Sequence, residues 1–392
     1  MFLDRNFSYY EFFAGGGMAR AGLGEHWQCL FANDINLMKA ANYSANWGDG
    51  DFLCEDINKL STSALPGRAD LAWASFPCQD LSLAGDGAGL GTAAEAVKTR
   101  SGTFWPFLGL MNGLRREGRA PRMIVLENVV GALTSHGGRD FAAIGAALQA
   151  AGYQFGAVVI DAACFVPQSR PRVFFLAIDR GTPTLGQVVR GGPSNLWHPK
   201  ALVAAYAGLP DAVKASWIWW DLPVPSAPVV ALEDIIDDDP TGIGWHSSAQ
   251  TALLLGLMSP LNLAKVEAAK RMAKRRIGCV YRRTRPDEQG GKLQRAEIRF
   301  DGVAGCLRTP TGGSSRQTIL VVNGDDVRSR LLSTREAARL MGLPESFRLP
   351  TRYSDAYQIA GDGVCPPVVR HLAQHLLEPI VVGTISFPLA AE

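Results

Sequence analysis

The chain has 392 residues, 47% of them hydrophobic, and a formal net charge of only +2. This length can form two or three domains or one elaborated domain, and the composition excludes a chain too polar to bury a core. Because the overall charge is almost neutral, it identifies no partner, and only local clusters of charge can do so.

The cysteines and the N-terminal residues indicate the cellular compartment in which the protein is expected. The seven cysteines form no CxxC pair, which argues against a disulfide framework and a structural zinc site. The opening MFLDRNFSYYEFF lacks the apolar core of a signal peptide, and no run of about 18 apolar residues occurs. Of the six histidines, only His371 and His375 form a close pair, which a helix surface explains without a metal. We expect a cytoplasmic protein with no membrane segment and no metal.

Strand and helix candidates alternate through the first half of the chain. SYYEFF leads into three glycines and then ARAGLGEHW, which predicts a strand, a tight turn and a helix. The later strand candidates, in chain order, are CLFAND ending at Asp34, DLAWASF reaching Cys78, MIVLENV ending at Glu127, GAVVIDA ending at Asp161 and RVFFLAI ending at Asp179. This alternation predicts an α/β fold with a mainly parallel, doubly wound sheet. Ligands bind at the carboxyl ends of such strands.

The alternation fades after about residue 180, which favours a domain boundary near GTPTLGQVVRGGPSN. Residues 183–305 are rich in Pro, Trp and Gly, and we interpret the WIWW cluster at 217–220 as core of a smaller domain. Between Lys265 and Arg299 stand twelve Lys or Arg and four Asp or Glu, so positive charge is concentrated there. In STREAARLMGLPESF, Ser333 and Glu336 have the spacing of a helix capping box.

The glycine-rich segment FFAGGGMARAGLG allows close approach of backbone to a nucleotide or a sulfonium cofactor. It departs from the dinucleotide fingerprint because Arg20 stands where the third glycine is required. Asp34 could accept from ribose hydroxyls and Asp56 from an adenine amine, although a helix cap or a loop position explains either acid alone.

A lone cysteine such as Cys78 is more often inert packing than a nucleophile. Its company changes this, because Glu127 and the pair Arg170 and Arg172 of QSRPR also lie at or near predicted strand ends. A thiolate, a carboxyl and two guanidiniums in one pocket suit the addition of a nucleophile to an electron-poor ring such as a pyrimidine.

The ordered series FAGGG, AND, PCQ, ENV, QSRPR, REAARLMGLP and GDGVCPPVV resembles the motif set of the DNA cytosine-5 methyltransferases of bacterial or phage type. It covers residues 9 to about 180 and about 307 to 379, and leaves the middle unmatched. The resemblance implies a Rossmann-like class I methyltransferase fold with a smaller target recognition domain. We therefore expect a catalytic domain at 1–182, a target recognition domain at 183–350 that includes the REAARLMGLP helix, and a C-terminal segment at 351–392 returning to the catalytic domain.

The same resemblance implies transfer of a methyl group from S-adenosylmethionine to carbon 5 of a cytosine flipped out of a specific duplex DNA sequence, through a covalent Cys78 adduct. The products are 5-methylcytosine and S-adenosylhomocysteine. Glu127 matches the acid that binds the ring nitrogen and the exocyclic amine, Arg172 matches the arginine on the carbonyl oxygen, and Arg170 is a second, weaker match. The cofactor-binding matches are Phe13, Gly15, Gly17, Asp34, Asp56, Ile57, Phe104, Asp362 and Val364. Asp362 departs from the family, which usually has asparagine there.

Double-stranded DNA is the expected partner, bound by a monomer, with phosphate contacts from Arg275, Arg276, Arg282 and Arg283. A solvated helix face is an equal explanation for RMAKRR. A tRNA-directed enzyme would share the chemistry, and a non-enzymatic relative is disfavoured by the presence of Cys78 and Glu127. A dehydrogenase is disfavoured by Arg20. A cognate restriction endonuclease, a phage protective role and an orphan regulatory role all stay open, as does the target sequence.

Overall fold

A computed structural model describes residues 7–77, 101–183, 186–225, 230–286, 291–308 and 316–386. The described residues form two compact units. The first unit takes its residues from 1–161, 171–226 and 363–392, and the second from 162–170 and 227–362.

The described strands are β1 (Phe7–Phe12), β2 (Trp27–Asp34), β3 (Phe52–Cys54), β4 (Leu71–Ala74), β5 (Met123–Val129), β6 (Tyr153–Asp161), β7 (Pro171–Asp179), β8 (Val189–Arg190), β9 (Trp219–Trp220), β10 (Arg276–Pro286), β11 (Lys292–Arg299), β12 (Thr318–Asn323) and β13 (Asp326–Leu331). The α-helices are α1 (Met18–Leu23), α2 (Leu37–Trp47), α3 (Phe104–Arg116), α4 (Arg139–Ala150), α5 (Lys200–Ala207), α6 (Asp211–Lys214), α7 (Leu232–Ile235), α8 (Ser248–Gly256), α9 (Pro260–Lys270), α10 (Thr334–Leu340), α11 (Tyr353–Asp362), α12 (Pro366–Leu372) and α13 (Glu378–Ser386). Among these, no helix combines the length and the apolar character that crossing a membrane requires.

The first unit is built on a seven-stranded sheet with the order β3-β2-β1-β4-β5-β7-β6. The neighbours from β3 to β5 pair in parallel, while β7 runs antiparallel to both β5 and β6. All of β4 and the first six residues of β5 are buried, as expected for strands covered on both faces. The predicted α/β fold with a mainly parallel sheet is confirmed.

Aromatic side chains of the sheet pack against each other and against α3 in the core of the first unit. Phe12 on β1 contacts Phe31 on β2 and Phe107 on α3, with ring centroids 5.7 and 5.1 Å apart. All three rings are at most 5% exposed, and the burial of such rings is a main source of stability. β1 is thereby fixed between α3 and its neighbouring strand.

The WIWW cluster belongs to the first unit, so its interpretation as core of the smaller domain is wrong. The Trp217 ring lies 5.3 Å from the Phe155 ring on β6, and the Trp220 indole donates to the Leu176 carbonyl at 3.1 Å. A Cβ at Gly156 would lie 1.9 Å from the Ile218 carbonyl, so glycine at this position admits the approaching backbone. The cluster therefore covers β6 and β7.

The second unit contains a four-stranded antiparallel sheet with the order β11-β10-β12-β13. Its core includes Leu254 and Met258 near α8, Val266 on α9, and Val280 and Ile298 from the sheet. The predicted capping box at the start of α10 is confirmed, since the Ser333 and Glu336 side chains each accept from the other residue's backbone N–H.

Candidate active site

A strained glycine-rich turn connects β1 to α1. Phe13, Gly15 and Gly17 have φ values of 58°, 57° and 79°, all in the left-handed region. A Cβ at Gly17 would lie 2.2 Å from Trp47 Nε1, whereas a Cβ at Gly15 would have no described atom within 4 Å. Positive φ is uncommon for a bulky residue such as Phe13, and such strain concentrates at ligand sites. The turn thus leaves open space at Gly15.

Asp34, the last residue of β2, is tied to this turn. Its side chain is buried, and its two carboxylate oxygens accept from the backbone N–H groups of Gly15 and Asn36, each at 2.9 Å. An ionised carboxylate has about four lone-pair positions, so Asp34 can still accept from further donors. It therefore orders the turn and offers acceptor capacity beside it.

The next segment along this edge of the sheet follows β3. Asp56 caps the short 3-10 turn Ile57–Lys59 by accepting from the Asn58 N–H at 3.0 Å, and Ile57 is buried. Because β1, β2 and β3 are adjacent and parallel, their carboxyl ends share one edge. The structure thus places at one edge the following predicted cofactor residues: Phe13, Gly15, Gly17, Asp34, Asp56 and Ile57.

Three further predicted cofactor residues lie elsewhere in the chain. Phe104 begins α3, is fully buried, and contacts Phe76 with ring centroids 5.8 Å apart. Asp362 ends α11 in the second unit, where its carboxylate accepts from the Gln358 amide at 3.3 Å. Val364 is buried in the first unit. The binding roles of these residues stay predictions.

Glu127, which is buried, forms an ion pair with the partly buried Arg172. Arg172 Nε lies 3.1 Å from Glu127 Oε1, with side chains 15% and 8% exposed. Because β7 is antiparallel to β5, the start of β7 lies beside the end of β5, and Arg172 pairs with Val129. The structure thus brings these two predicted site residues together.

Arg170 belongs to the second unit, whereas Glu127 and Arg172 belong to the first. Its guanidinium is 2% exposed and donates to the carbonyls of Gly361 at 2.8 Å and Leu307 at 3.3 Å. These contacts give Arg170 a structural role in joining segments of the second unit.

Cys78 lies outside the described residues, but the segment that leads to it is positioned by the sheet. β4 pairs with β5 through Ala74 and Leu126. The Asn128 amide donates to the Phe76 carbonyl at 3.2 Å. The backbone two residues before Cys78 is therefore held by the neighbour of Glu127, a positioning role for Asn128 that the sequence analysis missed.

A second missed feature is the buried acid Glu11 on β1, which is 1% exposed. Burial raises the pKa of Glu11 to about 8, against the opposite effect of nearby Arg20. Within the described part of the chain, its Oε2 atom has no hydrogen-bond partner. Arg20 itself donates to the Tyr43 hydroxyl at 2.9 Å. An acid inside the otherwise apolar run SYYEFF is the signal that could have identified it.

The four arginines predicted to contact DNA fall into two groups. Arg275 donates to the carbonyls of Glu233 and Ile236 at 3.3 and 3.0 Å, and Arg276 donates to the Phe300 carbonyl at 2.8 Å. Arg282 and Arg283 lie on β10 with exposed side chains. Arg275 and Arg276 are therefore held by hydrogen bonds within the protein to a greater extent than Arg282 and Arg283.

The predicted surface position of the histidine pair is wrong for His371, which is 7% exposed. Its Nε2 lies 3.1 Å from the Pro223 carbonyl, and burial, followed by nearby His375, lowers its pKa to about 4. In the described ranges, no group of three or more His, Cys, Asp or Glu side chains could hold a metal ion.

Known proteins resemble this chain in sequence and in fold. The family model for C-5 cytosine-specific DNA methylase matches residues 7–378. The chain is 24% identical to Type II methyltransferase M.BsuFI of Bacillus subtilis, covering 97% of this chain and 74% of that protein. It is also 24% identical to Type II methyltransferase M.NlaX of Neisseria lactamica, covering 94% and 96%.

Two solved structures share the fold. The S. pombe Dnmt2 methyltransferase has a TM-score of 0.56 and 17% identity, covering 96% of this chain and 99% of its own. The Entamoeba histolytica methyltransferase EhMeth has a TM-score of 0.57 and 14% identity, again covering 96% and 99%.

Proposed function

The chain belongs to the C-5 cytosine-specific DNA methylase family, and we propose that it acts through Cys78 on a cytosine flipped out of a specific duplex sequence. The family reaction is S-adenosylmethionine-dependent methylation of cytosine in DNA. The observation that supports the assignment of residues is the Glu127–Arg172 ion pair at the end of β5, beside the strand that leads to Cys78.

In this proposal the base is rotated out of the duplex because its reacting carbons are stacked inside the helix, at a cost of a few kcal/mol that contacts with the protein offset. The Cys78 thiolate forms a bond to carbon 6. The electron pair displaced from the ring is stabilised by Glu127, which holds a proton at the ring nitrogen, and by Arg172, which donates to the carbonyl oxygen. Carbon 5 becomes nucleophilic as a result.

S-adenosylmethionine, when bound, supplies the electrophilic methyl group for carbon 5. The residues present fit this group: the left-handed turn leaves open space at Gly15, and Asp34 has acceptor capacity for ribose hydroxyls. We propose that Asp56 and Ile57 receive the adenine, with Phe104 and Val364 as further contacts. Water accepts the proton of carbon 5, the electron pair of that C–H bond restores the double bond between carbons 5 and 6, and the bond to Cys78 breaks so that Cys78 leaves as a thiolate.

Double-stranded DNA is the proposed partner in this reaction, bound by a monomer in a cytoplasmic setting. The relatives named above as Type II methyltransferases favour a restriction–modification role, in which a cognate endonuclease recognises the same sequence. Target recognition is assigned to the second unit, which includes the sheet that carries Arg282 and Arg283.

The test is methyl transfer from labelled S-adenosylmethionine to duplex DNA and, in parallel, to tRNA, with the parent and with Cys78→Ser. We expect DNA to be labelled by the parent and not by Cys78→Ser, because a serine hydroxyl is far less ionised than a thiol near pH 7. The matched control Cys164→Ser makes the same substitution in the second unit and should retain the parent rate.

In the presence of S-adenosylmethionine, duplex DNA with 5-fluorocytosine at the target should remain attached to the parent in denaturant, since fluorine cannot leave carbon 5 as a proton does. Labelling of tRNA alone would overturn the proposed substrate. A rate for Cys78→Ser within tenfold of the parent, or complete release of the fluorinated DNA, would overturn the covalent mechanism.

A further inference from the structure

The outer part of the β10–β11 hairpin extends past the third strand of its sheet. β10 pairs with β12 over Arg276–Val280, but it pairs with β11 over Cys279–Pro286. We call residues 282–286 and 292–296 the β10–β11 ribbon. At about 3.4 Å per residue, its five residue pairs extend over about 17 Å.

Both faces of this ribbon are exposed beyond its innermost residue pair, Arg282 and Ala296. Along β10, Arg282, Arg283 and Thr284 are exposed in succession, and along β11 the first four residues from Lys292 are exposed before Ala296 is buried. Successive residues of a strand point to opposite faces, so a strand covering a core shows alternation of buried and exposed positions. Beyond the Arg282–Ala296 pair, the described side chains of the ribbon lack that alternation, so packing in the second unit does not explain why the ribbon extends so far.

The charge of the ribbon is unfavourable in the free protein. Arg283 lies directly opposite Arg295, and like charges in this position destabilise a strand pair. Glu297 offsets this only weakly, because Arg283 Nε lies 3.3 Å from Glu297 Oε2 but the Arg283 side chain is 55% exposed. An anionic partner would relieve the repulsion between the two arginines.

The opposite face carries two uncharged hydrogen-bonding groups between the charged residues Arg282 and Lys292. Thr284 pairs with Gln294, and the alternation of strand side chains puts this pair on the other face from Arg283 and Arg295. Arginine and glutamine are the side chains that bind guanine and adenine edges through two hydrogen bonds, and threonine can contact several bases. The ribbon thus combines groups for phosphates with groups for bases.

We propose that the β10–β11 ribbon enters the major groove of the duplex and reads bases of the target sequence, an inference that rests on the proposed function. The major groove is about 12 Å wide and admits a two-stranded ribbon, whereas the minor groove is about 6 Å wide and does not. Arg283 and Arg295 contact phosphates or guanine, and Thr284 and Gln294 are specificity-determining.

The experiment compares the full-length parent with Thr284→Ala/Gln294→Ala and with Arg283→Gln/Arg295→Gln. Each chain is expressed in a host without cytosine methylation, and bisulfite sequencing reports which sites it methylates. We expect the Thr284/Gln294 variant to methylate a relaxed motif, with roughly tenfold less discrimination at one or more positions.

Binding to the parent's motif is measured across salt concentrations for the second variant. We expect Arg283→Gln/Arg295→Gln to bind DNA more weakly and to flatten the logarithmic salt dependence by about 0.9 for each lost phosphate contact. The lysine versions of both positions, which keep the charge, should restore the slope. Arg348→Gln/Arg352→Gln is the matched control, since it removes two exposed charges from the same unit outside the ribbon.

The possible outcomes separate the two proposals. A parent that methylates no duplex DNA overturns the proposed function. If the parent methylates a defined motif but the Thr284/Gln294 variant keeps that motif at every position, the ribbon does not read bases. If the Arg283/Arg295 variant also keeps the parent's affinity and salt slope, the ribbon does not contact DNA, and the inference fails while the proposed function stands.

Discussion

Replacing Glu127 by glutamine is the most informative single change at the candidate active site. Glutamine keeps the shape of the side chain but removes its charge and its ability to hold or deliver a proton as a carboxyl does. The change also leaves Arg172, whose Nε lies 3.1 Å from the carboxylate, paired with a neutral amide. The substitution should therefore lower both the stability of the protein and the rate of methyl transfer, and the two effects can be measured separately.

The effect on stability follows from the geometry of the pair. At 3.1 Å the Coulomb attraction is about 5 kcal/mol for an effective dielectric constant of about 20. Desolvation of both groups opposes this attraction, and removing one partner of a buried pair typically destabilises by about 3–5 kcal/mol. An amide oxygen still accepts from Arg172, so we expect about 3 kcal/mol. Since domains are stable by about 5–15 kcal/mol, the variant should remain folded.

The substitution should also slow methyl transfer strongly. Proton transfer by a positioned side chain contributes about 10²–10⁴-fold to a rate, so we expect the single-turnover rate of Glu127→Gln to fall by about that factor. DNA affinity should stay near the parent value. Urea denaturation, DNA binding and rapid-quench methyl transfer measure the three quantities separately, and Glu267→Gln, at a side chain 57% exposed on α9, is the control. A rate within tenfold of the parent would refute the assignment of Glu127.

Two further substitutions test the first unit. Gly17→Ala should unfold more easily by about 1 kcal/mol or more and bind S-adenosylmethionine more weakly, because its Cβ would lie 2.2 Å from Trp47 Nε1; calorimetric affinity equal to that of Gly118→Ala, which also has a positive φ but has open space outside the site, would contradict this. The pKa of Glu11 is about 8 in the folded protein against 4.5 as its ordinary value, so its contribution to stability is present below pH 4.5 and is lost as the pH rises towards 8. In urea denaturation, the free energy of unfolding of the parent should therefore fall by up to about 4 kcal/mol between pH 5 and 8, and Glu11→Gln should abolish this fall. An unchanged pH dependence in the variant would show that Glu11 does not titrate in this range.

Most of the first unit's sheet could be predicted from sequence because its strands are short apolar runs that end at polar residues. Strand direction could not be predicted in the same way. A strand buried on both faces has the same apolar pattern whether it runs parallel or antiparallel to its neighbours, so the RVFFLAI run does not reveal that β7 is reversed. The position of Arg172 at the start of β7, next to the end of β5, follows only from that reversal.

The second unit was less accessible to sequence analysis for a physical reason. Periodicity identifies a strand when one face is buried, but the exposed residues of β10 and β11 show no such contrast. The positive charge of this region was evident from sequence, whereas its location on a ribbon was not. The tryptophans at 217–220 show a related limit, because aromatic composition indicates a core without indicating which unit the core belongs to.

Sequence motifs identified Glu127 and Arg172 as candidate site residues, whereas the contact of Asn128 and the burial of Glu11 were evident only from the structure. Asn128 is part of the ENV motif, but its donation to the Phe76 carbonyl depends on the pairing of β4 with β5. Glu11 was hidden because an acid in a strand normally points to solvent, and here the strand is covered on both sides. In both cases the missing information is tertiary, namely which backbone or side chain lies across the sheet.

The register of β7 links the fold to the proposed chemistry. β7 is paired on both sides, with Arg172 opposite Val129 of β5 and opposite Ile160 of β6. A shift by one residue would move every β7 side chain to the other face, separating the guanidinium from Glu127 and leaving a buried carboxylate without its partner. Pairing with both flanking strands therefore opposes this shift in register. The shift would also disrupt the packing of the buried residues Phe174 and Phe175 and would break the ion pair. The apolar run of β7 thus stabilises the sheet and fixes the position of the arginine that we assign to the cytosine carbonyl oxygen.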